Sequence, residues 1–349
     1  MRSSCDIIAA DAARICDQAR FPDLSGARIF VTGASGLIGS YVLACLAELR
    51  ARGLMIDVRG QVYSDAPPHV AELAEQWGFE IVRADLSSFA DYPRLPEADI
   101  IVHAAGYAQP MRFMANPDRT LQINTSATLA LLQKLAPGGH FQFLSSAEVY
   151  TGLPGGPCNE SAVGTTTPSH PRAGYIEGKR TGEAACHAYR SQGVHATAVR
   201  LGDVYGPGTR PHDRRALNSF IERALTEHEI WMLDAGVAVR AYCYVSDAVE
   251  LMWRILLTGK ETVYNVGGRH ATTIAALAGT IGRLTGAAVI PGPSQAGVPG
   301  APEALHLDLT RVDTEFGKRE YIDLEEGLSA TIEWQRGLYA GHGTDVSHT

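Results

Sequence analysis

The chain has 349 residues, 45% of them apolar, and a formal charge of −8 from 38 acidic and 30 basic side chains. The charges are scattered with no basic run, which excludes a sequence-independent grip on nucleic acid, and no run of 18 apolar residues occurs, which excludes a membrane-spanning helix. The cysteines (Cys5, Cys16, Cys45, Cys158, Cys186 and Cys243) form neither a CxxC pair nor a Cys/His cluster at zinc spacing, so a reduced, cytoplasmic protein without a metal site is expected.

The opening segment, "MRSSCDIIAADAARICDQAR", carries Asp6, Asp11, Arg14 and Asp17 where an export signal needs an apolar stretch. Ile7, Ile8 and Ile15 instead predict one face of a short helix packed on the main domain. From Arg28, short β-branched runs alternate with longer amphipathic ones. "RIFVTG", "GQVYSD", "FEIVRAD", "ADIIVHAAG", "HFQFLSS" and "HATAVRLG" read as strands, and their continuous apolar character predicts burial on both faces. Between them, "SGLIGSYVLACLAELRARG", "HVAELAEQWG", "TLQINTSATLALLQKLAPGG" and "YIEGKRTGEAACHAYRSQG" have helical periodicity, and several end at glycine. The alternation predicts an α/β fold, a Rossmann-like doubly wound parallel sheet with right-handed crossovers.

After about Tyr205 the rhythm breaks. "YGPGTRPHDRRALNSFIERAL" is a Gly/Pro/Arg-rich loop leading into a helix, "VRAYCYVSDAVELMWRILLTG" is a strand and then a helix, and "TVYNVGG" returns to strand. "PGPSQAGVPGAPEALHLD" reads as a connecting loop. The expected organisation is a helical extension (1–26), a Rossmann-like domain (27–204 and 241–268), a smaller interleaved C-terminal lobe that binds substrate (205–240 and 269–340) and a disordered tail (341–349). A ligand belongs in the cleft between the lobes.

The strongest local signal is "IFVTGASGLIGS", a strand followed at once by Gly33, Gly36 and Gly39 and then a helix. Glycines let the backbone approach a diphosphate, and the helix N-terminus presents free N–H groups, so Ser35, Leu37 and Ile38 join the glycines as a dinucleotide seat. The spacing is GxxGxxG rather than GxGxxG. An acid closing the second strand binds the adenosine ribose and favours NAD over NADP. Asp65 is the candidate, Ser64 and Asp57 are its rivals, and nearby Arg59 works against excluding NADP. Asp85, followed by Leu86, closes the third strand where the adenine amino group would lie; its plain alternative is a turn or N-cap residue.

Tyr175 and Lys179 form the one YxxxK match among 13 tyrosines and four lysines. On a helix they share a face. A lysine ammonium together with a positive nicotinamide ring lowers a phenol pKa from about 10 and makes the tyrosine a usable base. Upstream, "FQFLSSAEVY" ends a strand at Ser145 and Ser146, and Ser146 can orient the hydroxyl that Tyr175 deprotonates. Glu148 emerges beside it as a second acid or base, or as a cap or salt-bridge partner.

Taken in order, "TGASGLIG", "HAAG", "QINTSATLALL", "SSAEVY", "YIEGK" and "RLGDVYGPG" resemble the extended short-chain dehydrogenases/reductases of the NAD-dependent nucleotide-sugar epimerase/dehydratase family, from about Arg28 to Asp308. The resemblance implies a tightly held, recycled NAD that takes hydride from C4 of the sugar and returns it. It places Ala104, Ala105, Gly106 and Asn124 with Tyr175 and Lys179 around the cofactor. Tyr107, Ser146, Ala147, Glu148, Asp203, Arg210, Arg215 and Arg240 then surround a nucleotide sugar, with a UDP-sugar favoured. Within the family, "PRAGYIEGKR", with Pro171, Arg172, Glu177, Gly178 and Arg180, and "VRAYCYVSDAVE" are similar to the UDP-glucuronate decarboxylases. In those, C4 oxidation makes a β-keto acid that loses CO2, Arg240 would face the carboxylate or diphosphate, and Arg215 would help bind the nucleotide.

Two residues depart from that pattern. Ala147 stands where decarboxylases usually carry serine and 4,6-dehydratases aspartate, and Asp203 stands where asparagine is common. A 4-epimerase, which tolerates Ala147, is the first alternative, with a 4,6-dehydratase behind it. A non-catalytic NAD-binding regulatory protein is the remote one. The family resemblance also implies a homodimer, through the helices that carry Asn124 and Tyr175.

Overall fold

The computed structural model describes residues 4–153, 155–293 and 304–339. Seven strands form the main sheet: β1 (Arg28–Thr32), β2 (Asp57–Val62), β3 (Glu80–Arg83), β4 (Ala98–His103), β5 (Leu135–Ser146), β6 (His195–Leu201) and β7 (Val263–Val266). Their order is β3-β2-β1-β4-β5-β6-β7, and every neighbouring pair is parallel. The order reverses between β1 and β4, and in such sheets ligands bind at that switch point, off the carboxyl ends of the strands.

Twelve α-helices accompany the strands among the described residues: α1 (Ser4–Ala19), α2 (Leu37–Ala51), α3 (Pro68–Trp77), α4 (Pro110–Ala115), α5 (Pro117–Asn124), α6 (Ser126–Leu132), α7 (Ala173–Arg190), α8 (Ala216–Thr226), α9 (Val245–Thr258), α10 (Ile274–Thr285), α11 (Thr310–Phe316) and α12 (Leu324–Tyr339). The inner strands are mostly buried because helices cover both faces, whereas β3, at the sheet edge, has no buried residue. Val31, Val102 and Val199 join Leu43 of α2 and Met252 of α9 in one core. Phe30, Ile101, Phe141 and Phe143 join Leu131 of α6 and Cys186 of α7 in the other.

The predicted N-terminal helix exists as α1 and packs on α2 and α9. Asp11 accepts hydrogen bonds from the hydroxyls of Tyr41 and Tyr244, each at 2.8 Å, which ties α1 to α2 and to the strand Val239–Tyr244. That strand straddles the expected boundary at 240/241 and lies in the smaller sheet. It pairs with Ala271–Thr273, Ala304–Leu307 and Asp203–Tyr205, and Ala304–Leu307 continues to Pro157–Cys158. Glu229–Trp231 and Ala288–Ile290 form a separate pair.

Two sequence expectations are corrected. The periodic stretch from Thr120 is not one regular helix: Thr125, at φ −114° and ψ −76°, is a distorted α-region turn between α5 and α6, and β5 has begun by Leu135. The Pro/Gly-rich segment after Pro291 ends in the strand Ala304–Leu307, whose pairing to Val239 and Arg240 is invisible to local composition. The expected disordered tail lies outside the described residues. No helix among the described residues is long and apolar enough to cross a membrane, and no group of metal-ligating side chains is found among them.

Candidate active site

The glycine motif forms the turn from β1 into α2. Gly33 adopts φ +64°, and a Cβ there would lie 2.6 Å from Ala105 N and 2.7 Å from the Ala104 carbonyl carbon, so only glycine fits. A Cβ on Gly39 would lie 2.3 Å from Gly33 O. Gly36 caps α2, leaving Leu37 and Ile38 in its first turn, where backbone N–H groups lack intrahelical partners. A residue the sequence reading missed braces this loop. Gln61, buried in β2, accepts from Gly33 N through Oε1 at 3.0 Å and donates through Nε2 to Ala84 O at 2.6 Å. A polar residue inside an apolar strand was the available signal.

His103 supplies the second brace. Thr32 Oγ1 lies 2.7 Å from His103 Nδ1 and accepts from Ala105 N at 3.2 Å, so the hydroxyl donates to the ring; His103 Nε2 then donates to Ile123 O at 3.0 Å. Burial pushes this imidazole down to about 3 and keeps it neutral. Asn124 of α5 is fully buried, donates to Thr120 O at 2.8 Å, and leaves Oδ1 without a partner in the protein. That oxygen and Lys179 Nζ are the atoms nearest a Cβ built on Gly106. A glycine cradle beside a buried, unpartnered amide oxygen fits a dinucleotide.

At the adenosine edge, β2 ends at Val62 and Tyr63, Ser64 and Asp65 lie beyond it. The Asp65 side chain is 85% exposed and paired with Arg83. Asp57 is the first residue of β2, at the opposite edge of the sheet, which removes it as a ribose partner. Asp85 accepts from Ser87 N (2.9 Å) and Ser87 Oγ (2.6 Å), and from Arg119 Nη2 at 2.7 Å. Leu86 is buried in the core, and its carbonyl accepts from Tyr92.

β5 and α7 bring the catalytic candidates together. Ser146, the last residue of β5, accepts from Glu148 N at 3.2 Å and hydrogen-bonds Tyr175. The Tyr175 ring stacks on Phe113 of α4, centroids 4.3 Å apart and 12° from parallel. No local sequence signal announced Phe113. Lys179 is buried, donates to Leu144 O at 2.6 Å, and stands 5.6 Å from the Tyr175 ring centre. Burial pushes the phenol up to about 12; Ser146 opposes the shift, Glu148 adds to it, and Arg215 and Arg172 oppose it. Burial also brings Lys179 down to about 7, against the pull of Glu183. Within the protein alone the phenol is therefore not a base at neutral pH; the positive ring of a bound nicotinamide would supply the further charge that the sequence reading anticipates.

Around this centre lies a cluster of opposite charges. Glu148 pairs with Arg172, whose side chain is only 4% exposed, yet Glu148 Oε2 and Arg172 Nε have no partner within the protein. Burial raises the Glu148 carboxyl, Arg172 opposes, and neighbouring Asp203 raises it further. Asp203 stands 3.7 Å from Arg240 and is likewise raised by burial, against Arg240 and Arg215. Arg215 is held by Asp213, with Nη2 to Oδ2 at 2.6 Å. Ala147, Gly202, Asp203 and Ala241 line a small pocket beside Gly267 and Gly268, off the ends of β5, β6 and β7. Arg210 reaches back to the glycine loop, donating to Ser35 O at 3.0 Å, and Tyr107 is half-buried just past Gly106.

Residues 29–267 match the model of the NAD dependent epimerase/dehydratase family. The chain belongs to that family. Among curated proteins, this family member is 30% identical over 312 residues to UDP-glucuronic acid decarboxylase 1 of Xenopus tropicalis, covering 88% of this chain and 72% of that protein. The Danio rerio protein of the same name is also 30% identical, with the same coverage. Among solved structures, the UDP-glucose 4-epimerase of Thermotoga maritima with UDP-glucose superposes with a TM-score of 0.77 at 25% identity, over 89% of this chain and 99% of that one. The dTDP-glucose 4,6-dehydratase of Streptomyces venezuelae with NAD bound, at 24% identity, shares the fold with a TM-score of 0.77 over 90% of this chain and 98% of that one.

Proposed function

We propose that this chain decarboxylates UDP-glucuronate to UDP-xylose through transient oxidation at C4, as a cytoplasmic homodimer joined through α5 and α7. The observation that carries the reading is the convergence of Arg172, Arg215 and Arg240 with Glu148 and Asp203 around Tyr175. Three guanidiniums brought to one centre, paired in the protein with Glu148, Asp213 and Asp203, are the groups that would recognise a diphosphate and a sugar carboxylate. The curated relatives bear the same activity in their names.

Gly33, Gly36, Gly39, Asn124 and Lys179 would hold NAD, which when bound supplies a reversible hydride acceptor. Tyr175, once its own proton has been given up to solvent under the combined charge that Lys179 and a bound cofactor would supply, takes the C4 hydroxyl proton as the C4–H bond gives up its hydride, and Ser146 orients that hydroxyl. The resulting β-keto acid breaks its C5–C6 bond and releases CO2, and the bonding electrons move onto the C4 oxygen, held by Ser146 and Tyr175. Glu148, placed beside the sugar ring, relays a proton from solvent toward C5, a role Ala147 has no group to perform. Re-reduction at C4 ends with Tyr175 returning its proton.

Ala147 supports a second reading, C4 epimerisation, which needs no acid at that position. Purified protein incubated with UDP-glucuronate is expected to release CO2 and a UDP-pentose. A C4-inverted uronic acid without CO2 would replace the first reading by the second, and no turnover of any nucleotide sugar would leave the regulatory alternative.

A further inference from the structure

We infer that this chain discriminates weakly between NAD and NADP, because the end of β2 carries no carboxylate aimed at the adenosine ribose and two arginines flank that place. The inference rests on the dinucleotide reading of the Gly33–Gly39 turn. In doubly wound folds the residue that sorts the two cofactors lies about 20 residues past the last glycine, at the end of the second strand. An acid there binds the ribose 2′-hydroxyl and repels a 2′-phosphate.

Here that strand ends at Val62, in register with Arg83 of β3. The next two side chains are Tyr63, 63% exposed, and Ser64, both neutral. The first acid, Asp65, turns outward onto Arg83. The other nearby acid, Asp85, has one carboxylate oxygen on Ser87 and the other on Arg119. Arg119 also lies over the Tyr63 ring, 5.3 Å from its centre, and hydrogen-bonds Tyr63. Arg83 and Arg119 thus contact the two ends of the Tyr63–Asp65 segment. Both side chains are partly exposed, so they can turn from surface carboxylates to a dianion, to which an arginine fork binds more strongly.

The test is titration of each cofactor, NAD and NADP separately, into protein freed of bound nucleotide, read by calorimetry. Dissociation constants within about tenfold of each other support the inference, and a preference for NAD beyond about tenfold overturns it. If neither nucleotide binds, the dinucleotide reading itself fails, a result separate from NAD binding alone. Tyr63→Asp places an acid at the strand end on an exposed residue; it is expected to weaken NADP by about tenfold or more and NAD by less than about threefold. Arg119→Gln is expected to weaken NADP more than NAD. Equal losses for both cofactors in these two variants would mean the turn is only structural and would also overturn the inference.

Discussion

Tyr175 and Lys179 owe their unusual protonation to where they are buried. A phenol pushed up to about 12 beside an amine brought down to about 7 is a pair in which burial outweighs each group's charged neighbours. Replacing Tyr175 by Phe removes the proton acceptor while keeping the ring stacked on Phe113. The turnover rate is therefore expected to fall by about 10²-fold to 10⁴-fold, with the circular dichroism spectrum and cofactor affinity little changed. Full activity in this variant would remove the phenolate from the mechanism. Tyr175 and Lys179 were legible from their spacing together with the glycine turn and Ser146, whereas Arg172, three residues earlier, was noted only within a resembling segment and its contact with Glu148 came from the fold. The partner is 24 positions away along the chain, too far for helical spacing to reveal.

At the scale of elements, α7 is delivered to the site by its close approach to β5. A Cβ on Gly182 would lie 2.3 Å from Phe143 Cζ, and Lys179 Nζ stands 4.8 Å from that same ring. Gly182→Ala must displace Phe143 or lift the helix, and a loss of about 1–3 kcal/mol in urea unfolding is expected, accompanied by reduced turnover. A variant as stable and active as the parent would show that the helix position is not set there. Helix α1 is held differently, through the single carboxylate of Asp11 serving two buried tyrosine hydroxyls. The apolar face of α1 could be read from Ile7, Ile8 and Ile15, but Tyr41 and Tyr244 lie far from it in sequence and no periodicity links them to Asp11.

At the scale of the whole molecule, burial holds His69, His103 and His195 neutral among the described residues. His69 and His195 are brought down to about 4, each chiefly by burial, and His103 to about 3. Each folded value is below the ordinary histidine value near 6.5, so the unfolded chain binds more protons in acid. Their contribution is fully present above about pH 6.5 and is lost as pH falls toward 3 to 4. For His103, buried to 1% exposure, the loss is up to about 1.4 kcal/mol per pH unit in that window. The thermal midpoint is expected to fall between pH 7.5 and pH 5, with a shallower fall in His103→Gln. An unchanged midpoint across that range would mean that these rings are not held neutral.

The sequence by itself determined the alternation of strands and helices, the glycine turn at Gly33, and the pairing of Tyr175 with Lys179. These are encoded in residues close along the chain, where backbone sterics and helical spacing act directly. Only the tertiary structure decided that α5 and α6 part at Thr125, that the segment after Pro291 returns as a strand, that Gln61 and His103 brace the cofactor turn, and that Asp65 faces outward to Arg83. The strand, the two braces and the Asp65 pairing each depend on a hydrogen bond, a charge or a packed surface brought in from a distant part of the chain, and such contacts leave no period in the sequence.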